Sequence, residues 1–207
     1  MSAQLTATSG NKPSTALVRE MRMICRDAWL QNLLSGSNGN ASRRLDAAVC
    51  ITRSGAAKGR LRPQDCCLVR ITDGAIISGS RPSSETGMHL AVYGQRPDCT
   101  AILHTHPRSL LALGLCLNMP EENFLQLPLY EAAVWRAKLA FVPALPPGSA
   151  ELAEAVGEAA RTHPAVWLAG HGLCATGKNL AEALCLTEEL EHLAAVQLCT
   201  LQHQKRA

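Results

Sequence analysis

Leu17, Met21, Ile24 and Ala28 recur at helical spacing. Ser14, just ahead of them, carries an N-cap side chain. The pattern predicts a helix running to about Leu34. Ser35-Gly36-Ser37-Asn38-Gly39-Asn40 then reads as a loop of residues that tolerate positive φ. Short apolar runs over 47–51, 66–71 and 75–78 predict strands, the first two separated by a glycine-rich loop, Ser54-Gly55-Ala56-Ala57-Lys58-Gly59. A helix is predicted from Ser83-Ser84-Glu85 to Gln95, a strand over Ala101–His106, and a mostly apolar helix from about Ser109.

Farther on, 138–142 reads as a strand, and Ser149 caps an alanine-rich helix ending near Thr162. An apolar strand over 165–169 is broken by Gly170-His171-Gly172. The last helix is predicted from about Asn179. It places Leu180, Leu184, Thr187, Ala194 and Leu198 on one face, which Glu191 interrupts. Strands cluster early and alternate with helices later, so the expected class is α/β, with a mixed sheet covered by helices on both faces. Neither a linker nor a repeat divides the chain, so residues 1–207 are expected to form one domain, with 1–12 a loose polar tail.

Composition narrows the function classes. Of 207 residues, 47% are apolar and 18% charged, which excludes a disordered chain. Only 3% are aromatic, so the core must be built from Ala, Leu and Val. A net charge of +3, with basic residues scattered, gives no nucleic-acid footprint. No apolar run has the length of a membrane span and the first residues lack a signal-peptide core, so a cytoplasmic location away from membranes is expected. The nine cysteines form no CxxC pair and read as reduced, small apolar residues.

The candidate chemistry starts at His104 and His106. Residues two apart on a strand face the same way, so this pair supplies half of a tetrahedral metal site. His171, between two glycines at a strand end, is a candidate third ligand. Ser83-Ser84-Glu85 at a helix start offers hydroxyls and backbone N–H groups suited to phosphate, and a carboxylate favoured by the helix dipole. The loops Gly39-Asn40-Ala41-Ser42 and Ser54-Gly55 present further N–H groups. Of the other histidines, His163 precedes a proline in a loop, while His89, His192 and His203 lie on predicted helices. All four read as structural or solvated.

These segments, taken in order, resemble the class II aldolase/adducin superfamily, most of all its L-fuculose-phosphate aldolase branch. The resemblance runs from the first helix to the last, and its specific part is the H-x-H strand following S-S-E by one helix. It implies a three-layer αβα sandwich with a mixed central sheet, assembled as a homotetramer with sites at subunit interfaces. It further implies a divalent metal, usually Zn2+, on His104, His106 and His171, with Glu85 as general acid/base and a further ligand when no substrate is bound. Gly39, Asn40, Ser54, Gly55, Ser83 and Ser84 match positions that hold the substrate phosphate. Tyr130 matches a tyrosine that a neighbouring subunit uses as the acid toward the aldehyde.

The implied reaction is cleavage of a ketose 1-phosphate, such as L-fuculose 1-phosphate, into dihydroxyacetone phosphate and an aldehyde. The metal would act as a Lewis acid on the enediolate left when the C3–C4 bond breaks. Other reactions of the superfamily stay open, namely dehydration and 4-epimerisation. The stretch Ser54–Leu61 also resembles the methylthioribulose-phosphate dehydratase branch, where Lys58 would be either a phosphate contact or a solvated loop lysine. A non-catalytic adducin-like scaffold is the alternative of another class.

Overall fold

The computed structural model describes residues 12–116 and 123–204. The tail expected over 1–12 falls outside these, apart from the exposed Lys12. The elements, in chain order, are α1 (Thr15–Leu30), β1 (Asn40–Arg44), β2 (Ala48–Thr52), β3 (Cys66–Arg70), β4 (Ile76–Ser78), α2 (Thr86–Gln95), β5 (Ala101–Thr105) and α3 (Arg108–Cys116), then α4 (Tyr130–Arg136), β6 (Leu139–Val142), α5 (Ala150–Ala160), β7 (Ala165–Leu168), β8 (Gly172–Gly177) and α6 (Leu180–Gln204).

The strands form one eight-stranded sheet in the order β4-β3-β2-β1-β5-β8-β7-β6. Neighbours are antiparallel except β6 and β7, which are parallel. The sheet is therefore mixed, as expected. Its central strands are buried on both faces because alternate residues enter two separate cores. Ala101 and Leu103 of β5 join the core beneath α1, α3 and α6, while Ile102 joins the one beneath α2 and α5. This is the helix–sheet–helix layering of an α/β fold. Six of the nine cysteines are buried among these apolar side chains.

Helix α1 buries the predicted Leu17, Met21, Ile24 and Ala28. It stops at Leu30, short of Leu34, where Asn32 takes φ 61°. Leu33 and Leu34 are nonetheless buried in the core. Three expectations are corrected. Asn40-Ala41-Ser42 is not loop but the start of β1. Gly172 does not merely break a strand, since it opens β8. The seven-residue helix α4 was not predicted. Strand β1 was masked by its polar sequence, Asn-Ala-Ser-Arg-Arg, although its first three residues are buried.

Glu191, the residue that interrupts the apolar face of α6, has a partner that explains it. Its carboxylate oxygens accept the backbone N–H groups of Ser109 and Leu110 at 2.8 and 2.9 Å. It thus caps α3 directly after His106-Pro107, where an anion also complements the helix dipole. Glu191→Ala should cost about 1–3 kcal/mol by leaving these donors unmatched. Its thermal midpoint should fall by several degrees, at about 2–4 °C per kcal/mol for a chain of this size. Glu191→Gln, which keeps an acceptor, should lie between; a melt of Glu191→Ala identical to the parent would show that the cap contributes nothing.

Candidate active site

Strand β5 lies between β1 and β8, with Asn40 opposite His104 and His104 opposite Cys174. Glycines let these strands close in at the site. At Gly39 (φ +68°) a Cβ would lie 2.5 Å from the His104 carbonyl oxygen. At Gly172 a Cβ would lie 2.3 Å from the Thr105 carbonyl, 3.1 Å from the His106 ring and 3.3 Å from the His104 ring. Only a residue without a side chain fits there. His106 sits one residue past the end of β5 and donates its N–H to the Leu33 carbonyl at 3.0 Å.

The three imidazoles predicted as ligands come together. Ring centroids are 4.9 Å apart for His104–His106, 4.8 Å for His104–His171 and 5.1 Å for His106–His171. One nitrogen of each lies within 4.8 Å of those of the others. His104 Nδ1 donates to the Leu173 carbonyl at 3.1 Å, which turns Nε2 toward the cluster. His106 Nε2 lies 3.1 Å from that nitrogen. Burial lowers the pKa of His171 and takes that of His106 to about 3, so both rings carry lone pairs at neutral pH.

Glu85, at the N-cap position of α2, closes the cluster. Its Oε2 lies 3.2 Å from His104 Nε2 and its Oε1 lies 3.3 Å from His171 Nε2. Burial pushes this carboxyl's pKa upward. The His104 hydrogen bond, the electrostatic influence of the His104 and His171 rings and the Asn40 amide together outweigh burial and hold it well below the usual range. Oε1 is buried and accepts no hydrogen bond. Three convergent imidazole nitrogens and an unshared carboxylate oxygen suit a divalent cation.

Beside the cluster is a cleft of about 160 Å³, lined by Asn38, Gly39, Asn40, Arg53, Ser54, Gly55, Lys58, Ser83, Ser84, Glu85, His106 and His171 among others. The serine segments meet there because the chain extends the β2 ladder. Ser83 N–H donates to the Thr52 carbonyl at 3.1 Å, and Ser54 N–H to the Arg81 carbonyl at 3.0 Å. Lys58 is buried, not solvated, and donates to the carbonyls of Ser37 and Ala56 at 2.9 and 2.8 Å. Arg53, which the sequence reading passed over, is held by Asp65 at 3.1 and 2.9 Å. Two cations and four serines, Ser37 among them, make the cleft suited to an anion. A larger groove of about 820 Å³, beside α1, is lined by no carboxylate or imidazole.

Asn40, Tyr130 and His89 are engaged differently from the residues above. Asn40 spends its side-chain amide on Glu85, at 2.8 Å, and on His89. Tyr130 opens α4, is 98% exposed and does not line the cleft. His89 is fully buried. The signal that could have marked it is its spacing, since Glu85, His89 and Tyr93 fall at i, i+4 and i+8 along one face of α2.

The family model for the class II aldolase and adducin N-terminal domain matches residues 19–198. The chain belongs to that family. It is 38% identical to a 3-oxo-tetronate 4-phosphate decarboxylase of Haemophilus influenzae, over 89% of this chain and 88% of the relative. It is 33% identical to an L-fuculose phosphate aldolase of Methanococcus vannielii, over 91% and 99%. The L-fuculose-1-phosphate aldolase structure from Thermus thermophilus superposes with TM-score 0.78 at 29% identity, covering 94% of this chain and 98% of that one. No helix among the described residues is long and apolar enough to cross a membrane.

Gly172→Ala should lose stability by about 1–3 kcal/mol through overpacking, and most of its bound metal with it. Gly170 has φ +67° but open space around a Cβ, so Gly170→Ala should keep its metal. Metal content after dialysis, measured beside thermal melts, separates the two; full metal in Gly172→Ala would refute the requirement for close approach.

Proposed function

We propose that this protein is a divalent-metal-dependent carbon–carbon lyase that cleaves a ketose 1-phosphate of the L-fuculose 1-phosphate type into dihydroxyacetone phosphate and an aldehyde. The observation that carries this reading is the Glu85 carboxylate, held between His104 and His171 at the wall of a cationic cleft. His104, His106 and His171 would hold the metal, with Zn2+ the expected ion for an all-imidazole set and Glu85 a further ligand before substrate arrives. A cation there supplies Lewis-acid stabilisation of the negative charge that develops on a carbonyl oxygen when the adjacent carbon–carbon bond breaks.

The chain's own residues divide the remaining work. Ser54, Ser83 and Ser84, backed by Arg53, Lys58 and the Gly39 and Gly55 turns, hold the phosphate and fix the reacting end. Glu85, ionised and without a hydrogen bond on Oε1, carries a proton to or from the three-carbon fragment at that oxygen. Tyr130 reaches no site within its own chain. Its role would be to donate to the aldehyde oxygen of a neighbouring copy in a homotetramer. Tyr130 and Val134 lie one turn apart on α4, and both are exposed. Together they offer apolar surface for such an assembly. The whole chain would act as one domain in the cytoplasm.

A second reading, decarboxylation of a 3-oxo sugar-acid 4-phosphate, is favoured by the 38% identity to the Haemophilus relative. It needs the same carbanion stabilisation, with carbon dioxide leaving in place of the aldehyde. The deciding experiment is metal analysis followed by incubation with ketose 1-phosphates and with 3-oxo-tetronate 4-phosphates. Both reactions leave dihydroxyacetone phosphate, so the second product, aldehyde or carbon dioxide, is assayed for each substrate. The aldolase reading predicts an aldehyde from the ketose 1-phosphates; carbon dioxide from the 3-oxo-tetronate 4-phosphates, with no aldehyde from the ketoses, would replace it with the second reading. Glu85→Gln should fold, keep its metal and lose roughly 100-fold or more in kcat, the usual range for a general acid/base. Unchanged turnover would remove Glu85 from the chemistry.

A further inference from the structure

A buried polar seam runs away from the site between β1 and α2. Asn40 Nδ2 donates to Glu85 Oε2 at 2.8 Å, and Asn40 Oδ1 meets His89 Nε2. His89 Nδ1 lies 2.7 Å from Ser42 Oγ, which lies 2.8 Å from the Tyr93 hydroxyl. Asn40, Ser42, His89 and Tyr93 are each at most 3% exposed. The partners are far apart in sequence and meet because two periodicities coincide. Residues 40 and 42 share a strand face, and residues 85, 89 and 93 share a helix face.

The direction of every hydrogen bond in the seam is determined. Asn40 turns its NH2 toward Glu85, whose Oε2 accepts at 2.8 Å. The amide oxygen then faces His89, which must carry its proton on Nε2. Burial lowers the pKa of His89 to about 3, so the ring is neutral and Nδ1 accepts. Ser42 therefore donates to Nδ1 and accepts from Tyr93. All four donors point toward the carboxylate.

We infer that Asn40, His89, Ser42 and Tyr93 form a one-way positioning relay that clamps Glu85 by Oε2 and so reserves Oε1 as the oxygen that handles the proton. The inference rests on the reading of Glu85 as the proton carrier. None of the four touches a reacting atom except through Glu85, and Asn40 alone of them lines the cleft. A fully satisfied polar network, surrounded by the apolar core of Met88, Val92 and Ile102, is costly to desolvate and is rigid once formed.

Three variants and one spectroscopic measurement test it on the metal-loaded protein. His89→Phe removes the ring's donor and its acceptor and should lower kcat roughly 10–100-fold, as loss of an outer partner of a site does, with KM and metal content unchanged. His89→Gln places an amide N–H near the position of Nε2 and should recover most of that loss, although both variants alter packing. Nitrogen-15 NMR of the imidazoles should show His89 as the Nε2–H tautomer at neutral pH, and Asn40→Ala, which removes the acceptor facing Nε2, should abolish that single tautomer.

A His89 ring found as Nδ1–H or as imidazolium overturns the relay. So does wild-type kcat in His89→Phe, or equal loss in the Phe and Gln variants. If the parent protein converts neither substrate class, the lyase reading fails on its own, while the tautomer measurement still decides the direction of the seam.

Discussion

The close packing of β5 against a glycine on either side is the constraint on which the site depends. Gly39 lies against the His104 carbonyl and Gly172 against that of Thr105, each at a distance no side chain permits. These approaches bring Asn40 alongside His104 and His171 across from it. They also shape the cavity, because the same Gly172 leaves room for the rings of His104 and His106. A β-carbon at that point would press on two of the three imidazoles at once. Backbone geometry therefore sets the ligand spacing before any hydrogen bond refines it.

Charge is arranged on that frame in two adjoining zones. In one, three imidazoles surround a single ionised carboxylate. In the other, Arg53 and Lys58 stand behind serine hydroxyls. Arg53 is aimed by the buried Asp65, whose carboxyl is held ionised against the cost of burial by the Arg62 backbone N–H and the guanidinium groups of Arg53 and Arg62. Lys58 is aimed by two backbone carbonyls. Glu85 belongs to both zones, and its two oxygens face different neighbours. A carboxylate that is ionised, buried and differently contacted at each oxygen suits proton transfer better than one free to rotate in solvent.

The helices α1 and α5 were legible because amphipathic periodicity and a capping serine mark them, α6 because of its periodicity, and the most apolar strands because four or five consecutive buried residues do. Strand β1 was illegible for the opposite reason. Asn40 and Ser42 are buried by virtue of their hydrogen bonds, which no hydropathy pattern records. Strand β8 was hidden behind glycines that look like a break and instead permit close pairing. The three imidazoles could be read from spacing, and the Ser83-Ser84-Glu85 segment from its place at a helix start. His89 could not, since its meaning depends on which strand faces α2. Arg53 was passed over because its aim comes from Asp65 across a 3-10 turn, a tertiary contact.

The order of strands in the sheet also orders events in time. His104 and His106 lie at mid-chain, whereas His171 arrives with β8, on the far side of β5 from β1 to β4. Glu191, which caps the helix following His106, comes later still. A chain emerging from the ribosome thus holds a strand with two imidazoles and an unpaired edge until β8 is made. The complete ligand set exists only once that edge is covered, so the step that closes the sheet is also the step that makes the protein competent to bind its ion.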